Sequence, residues 1–251
     1  KALDSLLRLG LPTQKDEDWK YTSTKPITKS TFTPTTSASP CSKEFIKSCS
    51  ISELDPFRLV FSDGFWMPEY SEFSNLPKGV QLIGLGEALR KTPEIVTPKL
   101  GTAIGQVPHG FSAMNSAFVG DGVFLKVADE ICMERAIEIL FISGFSGEGF
   151  LSLPRNLVVL GNNSKATVVE RHITAEGTRV LTNSITELLI SDSSELEYSI
   201  AQKGNEKNFH VHGLFANLGY ESRLKVSSVI SGGSLVRNDV RVNLDNENKF
   251  I

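Results

Sequence analysis

Three polar turns and the strands that follow them align on one another: "GNNSKATVV" from Gly161, "SDSSELEYS" from Ser191 and "GYESRLKVS" from Gly219. A fourth, "DNENKFI" from Asp245, begins the same way, and the successive starts lie 30, 28 and 26 residues apart. Ala166, Leu196, Leu224 and Phe250 fall in one apolar column, and Val168, Tyr198 and Val226 in another two residues on. Lys165, Glu195, Arg223 and Lys249 form a charged column beside them. Before each turn, Leu160, Ile190, Leu218 and Leu244 align, as do Val158, Leu188, Ala216 and Val242. Side chains of a strand alternate between faces, so the apolar columns face inward and the charged one outward. Matching columns on successive repeats are what a parallel β-helix requires, because each strand pairs with its equivalent one coil away. An up-and-down meander gives no reason for columns at this period.

The columns occupy the second part of the chain, a β-helix core over residues 106–251. Residues 1–105 read as an N-terminal α/β region. Ala2, Leu3, Leu6, Leu7 and Leu9 make a helical stripe ended by Gly10 and Pro12. In "LPTQKDEDWKYT", residues 11–22, Thr13 predicts an N-cap with Asp16 and Glu17 in the first turn, and Trp19 and Tyr21 pack beneath it. The Ser/Thr/Pro-rich stretch at about 28–50 reads as a flexible linker or long surface loop. "FRLVFSDGFW" predicts a strand and a turn at Asp63-Gly64, "VQLIGLGEALRK" a strand running into a helix, and "TPEIVTPKLG" a helical turn closed by Gly101.

A chain of 251 residues buries enough surface to fold without disulfides or metals. Its 26 Lys+Arg against 29 Asp+Glu give a net charge of −3. That is too weak a field to draw nucleic acid or an anionic membrane. No stretch approaches 18 consecutive apolar residues, which excludes a helical membrane span. The start is too short and too charged for a secretory signal. Three scattered cysteines, Cys41, Cys49 and Cys132, fit a reducing compartment rather than a disulfide framework. A first residue other than Met and an apolar end at Phe250 and Ile251 lead us to expect a fragment.

Candidate chemistry is sparse. His210 and His212 stand two apart on a strand and face one side, a spacing that can chelate a metal. No third ligand stands at a fixed spacing, and His212 aligns with polar Ser184 and Asn238, so a hydrogen-bonded corner pair is expected. His109, in "QVPHGFSAMNSAF", and His172, at the edge of a variable loop, read as structural. Cys132 reads as a small buried hydrophobe. Cys41 and Cys49 sit in polar surroundings without an adjacent base. Arg237-Asn238-Asp239 follows the bend at Gly232-Gly233 and reads as an asparagine ladder or a salt link. No phosphate loop, nucleophile elbow, zinc helix or dinucleotide fingerprint is present. The expectation is therefore no catalytic residue, no metal ligand set and no assigned cofactor-binding residue.

"LPTQKDEDWKYT" resembles the N-terminal signature of the SufB/SufD family of iron–sulfur cluster assembly proteins, the SufD branch being the nearer. "FRLVFSDGFW", "FSAMNSAFVGDGVFLKV", "PRNLVVLGNNSKATVVERH" and "SGGSLVRNDVRVNLDNEN" resemble further family segments in the same order, across most of the chain. Asn246 stands where family members often have Gly. The resemblance implies a helical N-terminal part, a right-handed parallel β-helix core and a C-terminal helical part lying beyond Ile251. It implies a non-catalytic, cytoplasmic scaffold subunit working with SufB-like and SufC-like partners, the latter an ATPase. The full complex would assemble the iron–sulfur cluster, and this fragment would bind none. The contacts with those partners, and the family's functional Cys and His, would fall mainly beyond Ile251, so no functional residue transfers to this chain. The other reading is a β-helix protein that binds or cleaves carbohydrate; the mixed signs of the outward column and the lack of an export signal weigh against it. An apolar end, with Leu244, Phe250 and Ile251 uncovered, is expected to fray from about residue 236 or to pair edge to edge with a second copy as a homodimer.

Overall fold

The computed structural model describes residues 2–51, 55–105 and 109–244. The columns at Phe250 and Lys249, and Asn246, lie outside the described residues. Before the core come α1 (Ala2–Leu9), α2 (Lys25–Thr28), β1 (Thr33–Pro34), α3 (Lys43–Cys49), β2 (Phe57–Ser62), β3 (Phe65–Trp66), β4 (Val80–Gly84), α4 (Leu85–Lys91) and α5 (Pro93–Val96). Helix α6 (Gly110–Phe118) leads into the core strands. These are β5 (Val123–Val127), β6 (Ile137–Ser143), β7 (Phe150–Ser152), β8 (Arg155–Leu160), β9 (Lys165–Thr174), β10 (Val180–Ile190), β11 (Glu195–Lys203), β12 (Phe209–Leu218), β13 (Arg223–Ser231) and β14 (Leu235–Leu244).

The core is a β-solenoid of about four turns, built from two facing sheets. One sheet stacks β8, β10, β12 and β14 in parallel, and the other stacks β6, β9, β11 and β13. The register is the one the columns require. Ala166 pairs with Leu196 and Leu196 with Leu224; Leu160, Ile190, Leu218 and Leu244 stack in line. Pro154 has no N–H to give a ladder and separates β7 from β8, both of which pair with β10. The charged column lies outside, where Lys165 and Arg223 flank Glu195 at 2.9 and 3.3 Å.

One corner of every coil has the same form. Glu130, Asn163, Ser193 and Glu221 all take positive φ, between 51° and 62°. Asn162, Asp192 and Tyr220 each donate a backbone N–H to the Asp129, Asn162 or Asp192 side chain of the coil before. The Asn/Asp/Ser content of these turns follows from that left-handed position and this ladder.

The first 105 residues join the sheets rather than standing apart from them. β2 pairs in parallel with β6 and turns back as β3, while β4 lies antiparallel to β5. These strands close the beginning of the solenoid, and antiparallel pairing stops the stack from growing backwards. The Ser/Thr/Pro-rich stretch is partly built in: β1 pairs with β7, and α3, capped by the Ser42 hydroxyl at 3.1 Å, buries Ile46 and Cys49. The "HGFSAMNSAF" segment, expected to be part of a loop entering the strands, forms α6 with His109 at its N-cap. The Thr13 hydroxyl accepts the Lys15 N–H at 3.2 Å, capping the first turn after it. Thr13 also donates to the Asp16 carboxylate, and Asp16 precedes a short 3-10 turn at Glu17–Trp19. Trp19 is buried, whereas Tyr21 is 91% exposed and packs beneath nothing.

Candidate functional site

The interior of the solenoid is divided. Near the shared corner it is apolar, lined by Leu160, Val168, Leu188, Ile190, Leu196 and Leu218. Further along the same inward positions it is polar. The alternation of β9 turns Ala166 and Val168 inward, then Glu170 and His172. β10 contributes Thr186 and Ser184, β11 Tyr198, and β12 His210 and His212. All of these side chains are buried.

Glu170 is the centre. Tyr198 donates its hydroxyl to Oε2 at 2.6 Å, Thr186 donates to the same oxygen at 2.8 Å, and His172 Nε2 meets Oε1 at 2.7 Å. His212 Nε2 stands 3.6 Å from Oε2 and 3.4 Å from the Thr186 hydroxyl. Asn156 extends the chain, donating to Thr186 at 3.1 Å and accepting the backbone N–H of Val123 at 3.0 Å. The His172 and His210 rings lie 4.7 Å apart, and His212 is 6.3 Å from each. Phe141 stacks on His172 at 4.8 Å.

The electrostatics follow from burial. Burial alone would raise the Glu170 pKa. The His212 charge and the hydrogen bonds from His172 and His212 outweigh it and hold the carboxyl well below its ordinary range. Burial, reinforced by the charge of Glu170, keeps Tyr198 protonated far above its ordinary range. Burial, then the neighbouring His172 and His212, pushes His210 well below its ordinary value. His210 is thus neutral at pH 7. Its Nε2 has no hydrogen-bond partner, and neither has His212 Nδ1, Ser184 Oγ or Asn238 Oδ1. Ser184, His212 and Asn238 stand in one register across three coils. Chemically the cluster sets one buried negative charge against three imidazoles, of which His172 is directly hydrogen-bonded to it.

Three other carboxylates are fully buried: Asp63 accepts the backbone N–H groups of Gly144 and Phe145 and the Ser146 hydroxyl, and the other two, Glu187 and Glu138, pair with arginines. Glu187, on the outward face of β10, takes Arg155 at 2.6 Å and the backbone N–H groups of Gly101, Ala103 and Ile104 at 2.7, 3.0 and 3.3 Å. Glu138, outward on β6, sits between Arg58 at 2.5 Å and Arg171 at 3.0 Å. Both are pins for covering segments, with fixed cations as partners. Glu170 has no arginine or lysine partner: it is met by His172, His212, Tyr198 and Thr186.

The structure brings His172, His210 and His212 together, so the third imidazole missing from the sequence pattern stands beside the pair. It leaves His109 apart, on α6. Among the described residues no group of three or more His, Cys, Asp or Glu is placed to hold a metal ion. Cys132 is exposed, contrary to the expected burial; it forms only an isolated parallel bridge with Lys165. Cys41 and Cys49 are buried with Ile46, and burial pushes the Cys41 thiol up to about 11 and raises that of Cys49. Neither is a poised nucleophile. Arg237 and Asp239 form the expected salt link at 2.7 Å. Glu170, Thr186 and Tyr198 were missed in the sequence, although Glu170 stands at an inward position of an otherwise regular alternation.

Such a core, with a helical lead-in and its polar groups enclosed rather than set in a cleft, places the chain among the β-solenoid proteins. The family model described as "SufBD protein N-terminal region" matches residues 1–139. The one described as "SUF system FeS cluster assembly, SufBD core domain" matches residues 142–250. The chain belongs to the SufBD family of the SUF iron–sulfur cluster assembly system. It is 24% identical to the iron–sulfur cluster assembly SufBD family protein slr0076 of Synechocystis sp., over 98% of this chain and 56% of that protein. It is 26% identical to the chloroplastic protein ABCI7 of Arabidopsis thaliana, over 96% and 51%. It is 22% identical to the iron–sulfur cluster assembly protein SufD of Escherichia coli, over 99% and 56%. The chain thus spans about half the length of these relatives.

Proposed function

We propose that this chain is part of a non-catalytic scaffold subunit of a SUF iron–sulfur assembly complex, acting in the cytoplasm with SufB-like and SufC-like partners. The observation that carries the reading is the collinear match to both family regions, laid over a solenoid whose register leaves no break. In this reading the solenoid is a rigid strut and the polar lumen fixes its geometry. The cluster is the cargo of the whole complex, and this part of the chain holds none of it. Among the described residues no helix is long and apolar enough to cross a membrane. The outward charges are paired with one another along the column, which favours this reading over a carbohydrate-binding face.

Co-purification of the full-length protein with a SufC-like ATPase and a SufB-like subunit tests the reading. A protein that captures neither partner, and instead binds oligosaccharide, would sink it. Anaerobic reconstitution of the present chain with iron and sulfide should leave no stoichiometric cluster absorption; a stable cluster would remove the non-binding part of the reading.

A further inference from the structure

Two segments singled out in the sequence, residues 11–22 and the Arg237-Asn238-Asp239 run, meet in space across more than 200 residues of chain. The Trp19 ring stacks on Phe111 at 5.3 Å and takes the His109 edge at 5.3 Å. Its other side is covered by the Arg237 guanidinium at 4.2 Å, a cation–π contact. Arg237 also donates to the Thr22 hydroxyl at 3.3 Å and is held by Asp239 at 2.7 Å. Asp239 in turn meets His109 Nε2 at 3.1 Å, and Arg241 meets Asp18 at 2.7 Å. Arg237, Asp239 and Arg241 are alternate residues of β14, so all three point to its outer face.

The segment is anchored at few points: α1 buries no residue and residues 13–18 are exposed, while Pro12, whose carbonyl accepts from the Thr24 hydroxyl at 2.6 Å, and Trp19, packed with Phe111, Leu151, Leu181 and Phe209, are buried. The segment can lie so close only because Gly110 lacks a side chain: a Cβ there would fall 1.7 Å from the Gly10 carbonyl oxygen. β14 is equally dependent. It pairs with β12 on one edge, and among the described residues no strand lies on the other. On its outer face Arg237 and Arg241 meet the 11–22 segment, while Arg241 stays half exposed and Asn243 reaches Ala103 instead.

We propose that residues 11–22 are a strap that closes only on a formed β14, with Trp19 as the plug and Arg237, Asp239, Arg241 and His109 as its seat. The strap belongs to the first residues of the chain, but its seat is complete only when residues 235–244 have joined the sheet. Docking of the one and order of the other rise and fall together, so a partner that lifts the strap loosens the strand.

Hydrogen exchange on the intact chain reads both sides, with tryptic cleavage at exposed Lys15 and Lys20 as a second measure. Arg237→Ala should raise exchange and cleavage across 11–22 by about tenfold, and Trp19→Ala should raise exchange across 235–244 to a like degree, with β9, which has no residue in the Trp19 cluster, unchanged. The milder pair Asp18→Arg and Arg241→Asp should each loosen both segments, and the double reversal should restore them. An equal rise at β9 would mean general destabilisation and overturn the proposal. So would an Arg237→Ala chain whose strap stays as protected as before, since the apolar cluster of Phe111, Leu151 and Leu181 would then hold the plug without β14.

Discussion

Glu170 is a fully buried carboxylate with no fixed cation beside it. Three groups donate to it, and removing it leaves the buried Tyr198 hydroxyl and His172 Nε2 without their acceptor. Glu170→Ala should cost about 3–5 kcal/mol in urea denaturation, the range for breaking a buried charge network by deleting one member. Lys165→Ala, on the exposed column, should leave the midpoint where it is, because its partner Glu195 keeps Arg223. At the shared corner the expectation runs the other way. Ser193 takes φ +55°, a conformation that costs an L-residue energy, so Ser193→Gly should stabilise by about 0.5–1 kcal/mol. A loss on that substitution would show that the Ser193 side chain contributes more than the backbone strain it carries.

Strands show how the depth of a coil in the stack sets what its column contributes. Leu196 is flanked by β9 and β13 and is fully buried, and Leu196→Ala should cost about 2–5 kcal/mol. Leu224 occupies the same column but is only partly buried against the core, so Leu224→Ala should cost less than Leu196→Ala in the same assay. Equal losses would mean that the column is covered alike at both levels. The columns themselves were legible in the sequence because strand pairing one coil away forces like residues into register. The α6 helix was not, since its Gly/Pro-punctuated entry hides the spacing and its cap is a histidine whose Nδ1 accepts from Ser112. α3 was masked by composition, although Ser42 with Ile46 and Cys49 beyond it carries a cap and an apolar spacing. Of the lumen cluster the three histidines were visible singly. Their meeting was not, because His172 and the His210–His212 pair belong to different sheets.

For the molecule as a whole, the lumen predicts a stability that depends on pH from both sides. The folded pKa of His210 lies below its ordinary 6.5, so the unfolded chain takes up that proton first. Its contribution is complete above about pH 6.5 and is lost as pH falls from there towards the folded value. Glu170, also depressed, adds a second loss that starts near its ordinary 4.5. Tyr198 is raised, so the unfolded chain ionises first and stability falls as pH climbs past 10. Urea midpoints measured from about pH 8 down to 5 should therefore decline, and His210→Gln, which cannot titrate, should flatten that decline. A native midpoint constant over the range would rule out a buried neutral His210. The two corners of each coil carry a different lesson. One has a fixed form, marked by the residues at positive φ, while the chain between β9 and β10, between β11 and β12 and between β13 and β14 varies. The solenoid thus keeps a reading frame. An extra residue among 175–179 is absorbed by the loop and stays silent. The same insertion between Gly161 and Ser164 acts as a frameshift, turning Glu170 out to solvent and Lys165 into the core.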